Sequence, residues 1–80
     1  MGKTSATELC RKLKNKAIVS KETGAVNELR LRILEYFINR DVPDDVFEEA
    51  LKTRLRDPDP AKEQSKIICA QILEAWSNSK

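Results

Sequence analysis

The sequence predicts an all-α protein, a single small four-helix bundle with short loops. Hydrophobic residues recur at spacings of three and four in four stretches, whereas no stretch alternates with the period of two that is typical of a strand. The two glycines and three prolines are few and fall between or at the ends of those stretches. With 80 residues, of which 40% are hydrophobic, the chain has enough apolar side chains for one core. We therefore expect one helical domain over residues 1–80, with frayed ends at 1–4 and 78–80 and helices at about 5–18, 24–39, 43–56 and 60–77.

The first helix is predicted from its start signal and its apolar stripe. Ser5 and Glu8 have the spacing of a capping box, in which each side chain accepts a hydrogen bond from a backbone amide at the helix start. The stripe that should face the core consists of Leu9, Cys10, Leu13 and Ala17. Cations cover much of the remaining circumference: Arg11, Lys12, Lys14 and Lys16.

The second helix should be the central helix of the bundle, because it is apolar over most of its circumference. Either Ser20 or Thr23 is expected to cap its start, and Asn39 to cap its end. Arg30 and Arg32 are expected to lie together on the solvent-exposed edge of this helix. Its apolar positions are Val26, Leu29, Leu31, Ile33, Leu34, Tyr36, Phe37 and Ile38.

The third helix is predicted from its first turn. Pro43 suits that turn, and acidic residues follow it at the end of the helix where the backbone dipole favours negative charge. These acidic residues are Asp44, Asp45, Glu48 and Glu49. The predicted buried face consists of Val46, Phe47, Ala50, Leu51 and Leu55.

The fourth helix follows the sharpest break in the chain, at residues 57–60. Asp59 and Pro60 resemble a cap followed by the first helical residue. Ile68, Ile72 and Trp76 then recur at every fourth position and should face the core. Large aromatic side chains contribute most to the burial of a small core, so the predicted core anchors are Trp76, Phe37 and Phe47.

The composition argues against an enzyme. The chain has no histidine, and its carboxylate pairs stand in the first turn of a helix, where the dipole explains them. No adjacent nucleophile or glycine-rich phosphate loop accompanies them. We therefore expect no catalytic residue, no cofactor and no metal ligand.

The two cysteines, Cys10 and Cys69, are too far apart in sequence for a zinc cluster or a close redox pair. Both fall on apolar helical faces, so we expect buried, reduced thiols and an intracellular protein, cytoplasmic or nuclear. A disulfide between the first and last helices is the alternative. No stretch is apolar over the roughly 20 residues that span a bilayer, so no membrane partner is expected.

Charge is unevenly distributed along the chain. Residues 1–21 carry six cations against one anion, whereas residues 41–63 carry eight anions against four cations. A cationic surface bordered by aliphatic side chains suits an acidic protein segment with hydrophobic anchors. The predicted partner-binding residues are Arg11, Lys12, Lys14, Arg30 and Arg32.

Three stretches of the sequence carry a resemblance to a known family. They are LCRKLK at residues 9–14, VSKETGAV at 19–26 and SKIICAQILEAW at 65–76, which ends in Trp76. In this order they resemble the helices of the N-terminal domain of transcription elongation factor TFIIS, although Val42 and Pro43 match the start of the family's third helix only in part. The resemblance implies a helical scaffold that binds short, acidic, largely disordered segments of transcription proteins through a basic, partly apolar groove.

The leading hypothesis is therefore a non-enzymatic protein–protein interaction module, with a partner in the transcription or chromatin machinery. Two other functions fit the same sequence. A small nucleic-acid-binding regulator would use the basic first helix, although no aromatic residue lies there to stack on bases. An assembly subunit would dimerise through apolar surface on the second helix, so the oligomeric state stays open.

Overall fold

Four α-helices form most of the part of the chain that the computed structural model describes, residues 4–20 and 24–79. The helices are α1 (Ala6–Val19), α2 (Ala25–Arg40), α3 (Asp44–Leu55) and α4 (Glu63–Asn78), and a short 3-10 helix (Pro60–Lys62) precedes α4. The described residues contain no strand, so the predicted all-α four-helix fold is confirmed. Each helix begins and ends within three residues of its predicted bounds.

The turn between α1 and α2 is capped differently from the prediction. Ser5 does cap α1, since its Oγ accepts a hydrogen bond from the backbone N–H of Glu8 at 3.2 Å. Ser20, however, caps the end of α1, and its hydroxyl donates to the carbonyl oxygen of Ala17 at 2.9 Å. Gly24 precedes α2 with φ of 118°, a conformation that glycine tolerates because it has no Cβ. Ser20 was therefore the wrong N-cap for α2, and the alternative, Thr23, lies outside the described residues.

The turn between α2 and α3 holds the start of α1. The expected cap at Asn39 was wrong, because α2 continues through Arg40 and ends at Asp41, which adopts the left-handed conformation with φ of 46°. Aspartate is among the few residues that visit this region readily. The Asp41 carboxylate accepts a hydrogen bond from the hydroxyl of Thr7, and Asp44 Oδ1 accepts one from the backbone N–H of Ala6 at 2.9 Å. The carboxylates at the two ends of this turn, on Asp41 and Asp44, thus fix the first turn of α1.

The segment before α4 begins as predicted and then differs by one turn. Asp59 Oδ1 accepts a hydrogen bond from the N–H of Ala61 at 2.9 Å, as expected of a cap before Pro60. The residues after Pro60 form the tighter 3-10 helix, and α4 starts only at Glu63. Short 3-10 turns are common at the ends of α-helices, and sequence periodicity does not reveal them.

The helices pair as two hairpins, with α1 against α2 and α3 against α4. The hairpins meet mainly through α2 and α4, within overall extents of 39 × 30 × 22 Å. All three predicted anchors are buried: Phe47 lies at the centre, with ring centroids 4.8 Å from Phe37 and 5.3 Å from Trp76, both edge to face. The other members of the main buried cluster are Ala6, Leu9, Cys10, Leu34, Leu51, Ile68, Cys69 and Ile72.

Four residues assigned to buried faces are exposed instead. Val26 lies in the first turn of α2 with 41% of its surface exposed, and Tyr36 on the same helix is 51% exposed. On α3, Val46 is 48% exposed and Ala50 is also exposed. For Val46 and Ala50 the reason is the pairing of the hairpins, because α3 packs mainly on α4 and these two residues lie on the part of α3 that this contact leaves exposed.

Within residues 4–20 and 24–79, no helix combines the length and the apolar character that crossing a bilayer requires.

Candidate partner-binding surface

Loose contact between the two hairpins leaves a groove on the side of α1. This cationic groove, as we name it, has a volume of about 330 Å³ and lies between α1, α2 and α4. Buried Leu34 and Ile72 contribute to its apolar lining, and none of its described lining residues carries a carboxylate. The full lining consists of Leu13, Lys16, Ala17, Ser20, Arg30, Leu34, Gln71, Ile72 and Ala75.

Arg30 lies where α2 faces α4, and its guanidinium is held by hydrogen bonds. Nη2 donates to Oε1 of Gln71 at 2.9 Å, which joins α2 to α4 across the groove. Nη1 donates to Oδ1 of Asn27 at 3.3 Å, one turn earlier on α2. Asn27 is itself buried, an unusual position for a polar side chain unless it is hydrogen-bonded. These contacts fix the direction of the Arg30 side chain.

The rim of the cationic groove on α1 is formed by lysine. Lys16 lines the groove and is exposed to solvent. Lys12 stands four residues earlier, and residues four apart lie on the same face of a helix. Lys12 is also exposed and extends the same positive edge by one turn. The basic first helix therefore places two ammonium groups beside an apolar cleft.

The five residues predicted to bind a partner do not form one surface. Arg30 and Arg32 are about 200° apart around α2, because each residue turns a helix by about 100°. Arg30 accordingly lines the cationic groove, whereas Arg32 is exposed on the other side and lines a second groove. Lys14 Nζ forms an ion pair with Glu35 of α2 at 3.3 Å, and neither Lys14 nor exposed Arg11 lines the cationic groove. The common edge expected for Arg30 and Arg32 was therefore wrong.

The residues predicted to bind an acidic protein segment did not include Lys16, which the sequence marked only as a nucleic-acid contact together with Lys12. The signal for Lys16 was present, since Lys12 and Lys16 have the spacing that puts two cations on one helical face. Gln71 and Ala75, which complete the α4 wall of the cationic groove, carried no such signal. Their role depends on how α4 lies against α1, which is a tertiary property.

The second groove, which we name the aromatic groove, lies between α2, α3 and α4 with a volume of about 390 Å³. Tyr36 lines it, and the guanidinium carbon of Arg40 stands 3.9 Å from the centre of the Tyr36 ring, a cation–π contact. Arg54 lines it as well, but its Nη1 forms an ion pair with Asp57 at 3.2 Å. The full lining consists of Arg32, Ile33, Tyr36, Phe37, Ala50, Arg54, Ser65 and Cys69.

The outer side of α3 carries a shallow depression that is mainly acidic. This acidic face, as we name it, is lined by Asp45, Val46, Glu49, Ala50, Thr53, Arg54 and Asp57. Glu49 Oε1 lies 3.1 Å from Nη2 of Arg56, an ion pair in which both side chains remain about two-thirds exposed. Such an exposed ion pair contributes little to the stability of the fold, and it leaves the acidic face open to solvent. The acidic face combines exposed carboxylates with the exposed side chain of Val46.

Both cysteines are free thiols and both are buried, in agreement with the prediction of buried, reduced thiols. Burial raises the pKa of Cys10 to about 12. Burial also raises the pKa of Cys69, while a hydrogen bond with Ser65 and the positive charge of Arg54 act in the opposite direction. A thiol with a raised pKa carries little thiolate at neutral pH and is a poor nucleophile.

Potential metal ligands are scattered in the structure. Among residues 4–20 and 24–79, no group of three or more histidine, cysteine or carboxylate side chains is arranged to hold a metal ion.

The chain was compared with known proteins at three levels. It matches no model of a known protein family, no curated protein and no solved structure. The resemblance to the N-terminal domain of TFIIS therefore stays a prediction from the sequence.

Proposed function

We propose that this protein is a non-enzymatic interaction module that binds an acidic, partly apolar segment of a partner protein in the cationic groove. The observation that carries the proposal is the juxtaposition of exposed Lys16 with an apolar cleft between α1, α2 and α4. Exposed Lys12 stands one turn away on the same face of α1. Apolar anchors of a partner would fill the cleft, and its carboxylates would meet the lysine rim. Charge complementarity of this kind adds mainly to the association rate and to specificity.

The aromatic groove is the weaker candidate for such a ligand. Its Arg54 is already paired with Asp57, and it borders the acidic face, with which it shares Ala50 and Arg54. An acidic segment in the aromatic groove would lie close to the carboxylates of Asp45 and Glu49, and like charges at short range oppose binding. The cationic groove has no such neighbour among its described lining residues.

Nucleic acid is the second class of ligand that the exposed cations of α1 allow. The cationic groove favours protein over nucleic acid, because its floor is aliphatic and none of its described lining residues is aromatic. Single-stranded nucleic acids are bound chiefly by stacking on aromatic side chains along a positive groove. The resemblance to the TFIIS domain supports a partner from the transcription machinery as the finer form of the proposal.

Nuclear magnetic resonance titration of the labelled protein tests the proposed function. The ligand is a synthetic helical peptide with two leucines flanked by glutamates, and the control peptide has glutamine in place of each glutamate. We expect micromolar binding of the acidic peptide, with chemical-shift changes concentrated at Leu13, Ala17, Ile72 and Ala75, and much weaker binding of the control.

A parallel titration with duplex DNA separates the two ligand classes. Each titration is run at two salt concentrations, because nucleic-acid binding falls steeply with salt through the release of counterions. DNA binding at Lys12 and Lys16 without any peptide binding would replace the proposal with the nucleic-acid function. Shift changes confined to Arg32, Tyr36 and Cys69 would move the binding site to the aromatic groove.

A further inference from the structure

The acidic face of α3 has the chemistry that the cationic groove requires of its ligand. Val46 and Ala50 lie one turn apart on the exposed side of α3, and Asp45 and Glu49 lie beside them at the same spacing. Val46 keeps 48% of its surface exposed although it is a β-branched apolar residue. An exposed helix face with two apolar positions flanked by two carboxylates is an acidic, partly apolar segment.

The two surfaces are also independent in position. The acidic face lies on the exposed side of α3 and the adjoining Asp57, whereas the cationic groove is a cleft between three helices. A helix laid into a groove is a common way for proteins to recognise one another. No described residue lines both surfaces, so one molecule can offer its acidic face while its own cationic groove is occupied.

The charges favour this pairing over contact between like surfaces. Lys12 and Lys16 provide two positive charges at the groove, and Asp45 and Glu49 provide two negative charges at the face. Two grooves brought together would oppose four lysines, and two acidic faces would place Asp45 and Glu49 of one copy against the same residues of the other. Contact between unlike surfaces is heterologous, since different patches of the two copies meet.

We propose that the protein associates with a second copy of itself, with the acidic face of α3 on one copy seated in the cationic groove of the other. The proposal rests on the proposed function, because it names a second copy as one acidic, partly apolar partner of the same groove. The contact is small and salt-sensitive, in the class of weak, transient interfaces. It gives the protein a means of self-assembly that competes with other acidic partners.

Charge-reversed variants test the pairing by sedimentation velocity at low ionic strength, up to about 1 mM protein, the range in which weak complexes form. K12E/K16E removes the positive rim and D45K/E49K removes the acidic face, and each variant alone should stay monomeric. An equimolar mixture of the two should form a complex of twice the monomer mass, because each variant retains the surface that the other has lost. Circular dichroism establishes that each variant keeps the helical content of the parent.

Matched controls separate the specific contact from net charge. R11E/K62E changes the net charge as much as K12E/K16E does, and E28K/E63K as much as D45K/E49K, at exposed positions outside both surfaces. Both control variants should self-associate as the parent does, and the acidic leucine peptide should dissociate the assemblies.

Two results would overturn the proposal. One is a parent protein that stays monomeric at low salt while it still binds the acidic peptide, which would leave the proposed function intact. The other is an equimolar mixture of K12E/K16E and D45K/E49K that shows no complex although the parent associates. Failure of the peptide to bind at all would instead refute the proposed function.

Discussion

The indole N–H of Trp76 donates a hydrogen bond to Oε1 of Glu48 at 3.0 Å, and this bond joins α4 to α3 at the edge of the aromatic cluster. The other carboxylate oxygen of Glu48 lies 3.4 Å from Nζ of Lys52. The Trp76 ring itself is 4% exposed and packs edge to face on Phe47. Trp76 therefore contributes both apolar burial and a satisfied polar group to the contact between the two helices.

Replacement of Trp76 should severely destabilise the fold. Trp76→Ala removes the indole from the core and should lower the free energy of unfolding by about 3–5 kcal/mol, a large part of the stability of so small a domain. Trp76→Phe keeps part of the apolar contact, so it should lower the free energy of unfolding by less than Trp76→Ala does. Urea unfolding followed by circular dichroism measures both, and a Trp76→Ala variant as stable as the parent would contradict the role of Trp76 in the core.

Asp44 and Asp45 provide a matched pair, because both stand in the first turn of α3 but only Asp44 accepts the N–H of Ala6. Asp44→Ala should lower the free energy of unfolding by about 1 kcal/mol more than Asp45→Ala does, because that is the usual contribution of a side chain that caps a helix. The difference between their urea midpoints is the measurement, since the interaction with the helix dipole is similar for both. Equal effects would show that the Asp44–Ala6 contact adds nothing to stability.

The raised pKa of Cys10 predicts a loss of stability at alkaline pH. The folded protein keeps this thiol protonated up to about pH 12, whereas the unfolded chain releases the proton near the ordinary value of 9.0. The stabilising contribution is complete below pH 9.0 and declines as the pH rises toward 12. Urea unfolding at a series of pH values should show a steeper decline for the parent than for Cys10→Ala. If the free energy of unfolding declined equally with pH for the parent and for Cys10→Ala, groups other than Cys10 would cause the loss of stability at alkaline pH.

Arg32 should have little effect on binding of the acidic peptide, because it lines the aromatic groove rather than the cationic groove. Arg32→Glu is expected to leave the dissociation constant nearly unchanged, whereas Lys16→Glu at the rim should weaken binding several-fold. Fluorescence anisotropy of a labelled peptide measures both variants, which carry the same net charge. A larger effect of Arg32→Glu than of Lys16→Glu would place the ligand between α2 and α3.

The hydrophobic periodicity, together with the capping residues, glycine and prolines near the helix ends, was sufficient to predict the helices and most of the core. Ile68, Ile72 and Trp76 are buried as their fourfold spacing indicates, since a residue's position around its own helix is a local property. The exposure of Val46 could not be predicted in the same way, because it depends on which side of α3 meets α4. The left-handed turn at Asp41 was missed because its partner, Thr7, lies 34 residues away in sequence.

The candidate surface was predictable in its charge and only partly in its residues. The basic character of α1 is evident from composition, and Arg30 does line the cationic groove, while Lys12 stands one turn from the groove residue Lys16. Lys14 is instead paired with Glu35 of α2, which is a contact between helices that no local pattern encodes. Grooves form where helices diverge, so their lining depends on packing angles that the sequence does not state.

Isothermal titration calorimetry of K12E/K16E against R11E/K62E tests the cationic groove most directly. Both variants lower the net charge equally, but only the first removes the lysine rim of the cationic groove. We expect K12E/K16E to weaken binding of the acidic leucine peptide at least about tenfold, equivalent to about 1.4 kcal/mol, and R11E/K62E to bind it nearly as the parent does. Equal affinities of the two variants for the peptide would contradict the assignment of the cationic groove as the partner-binding surface.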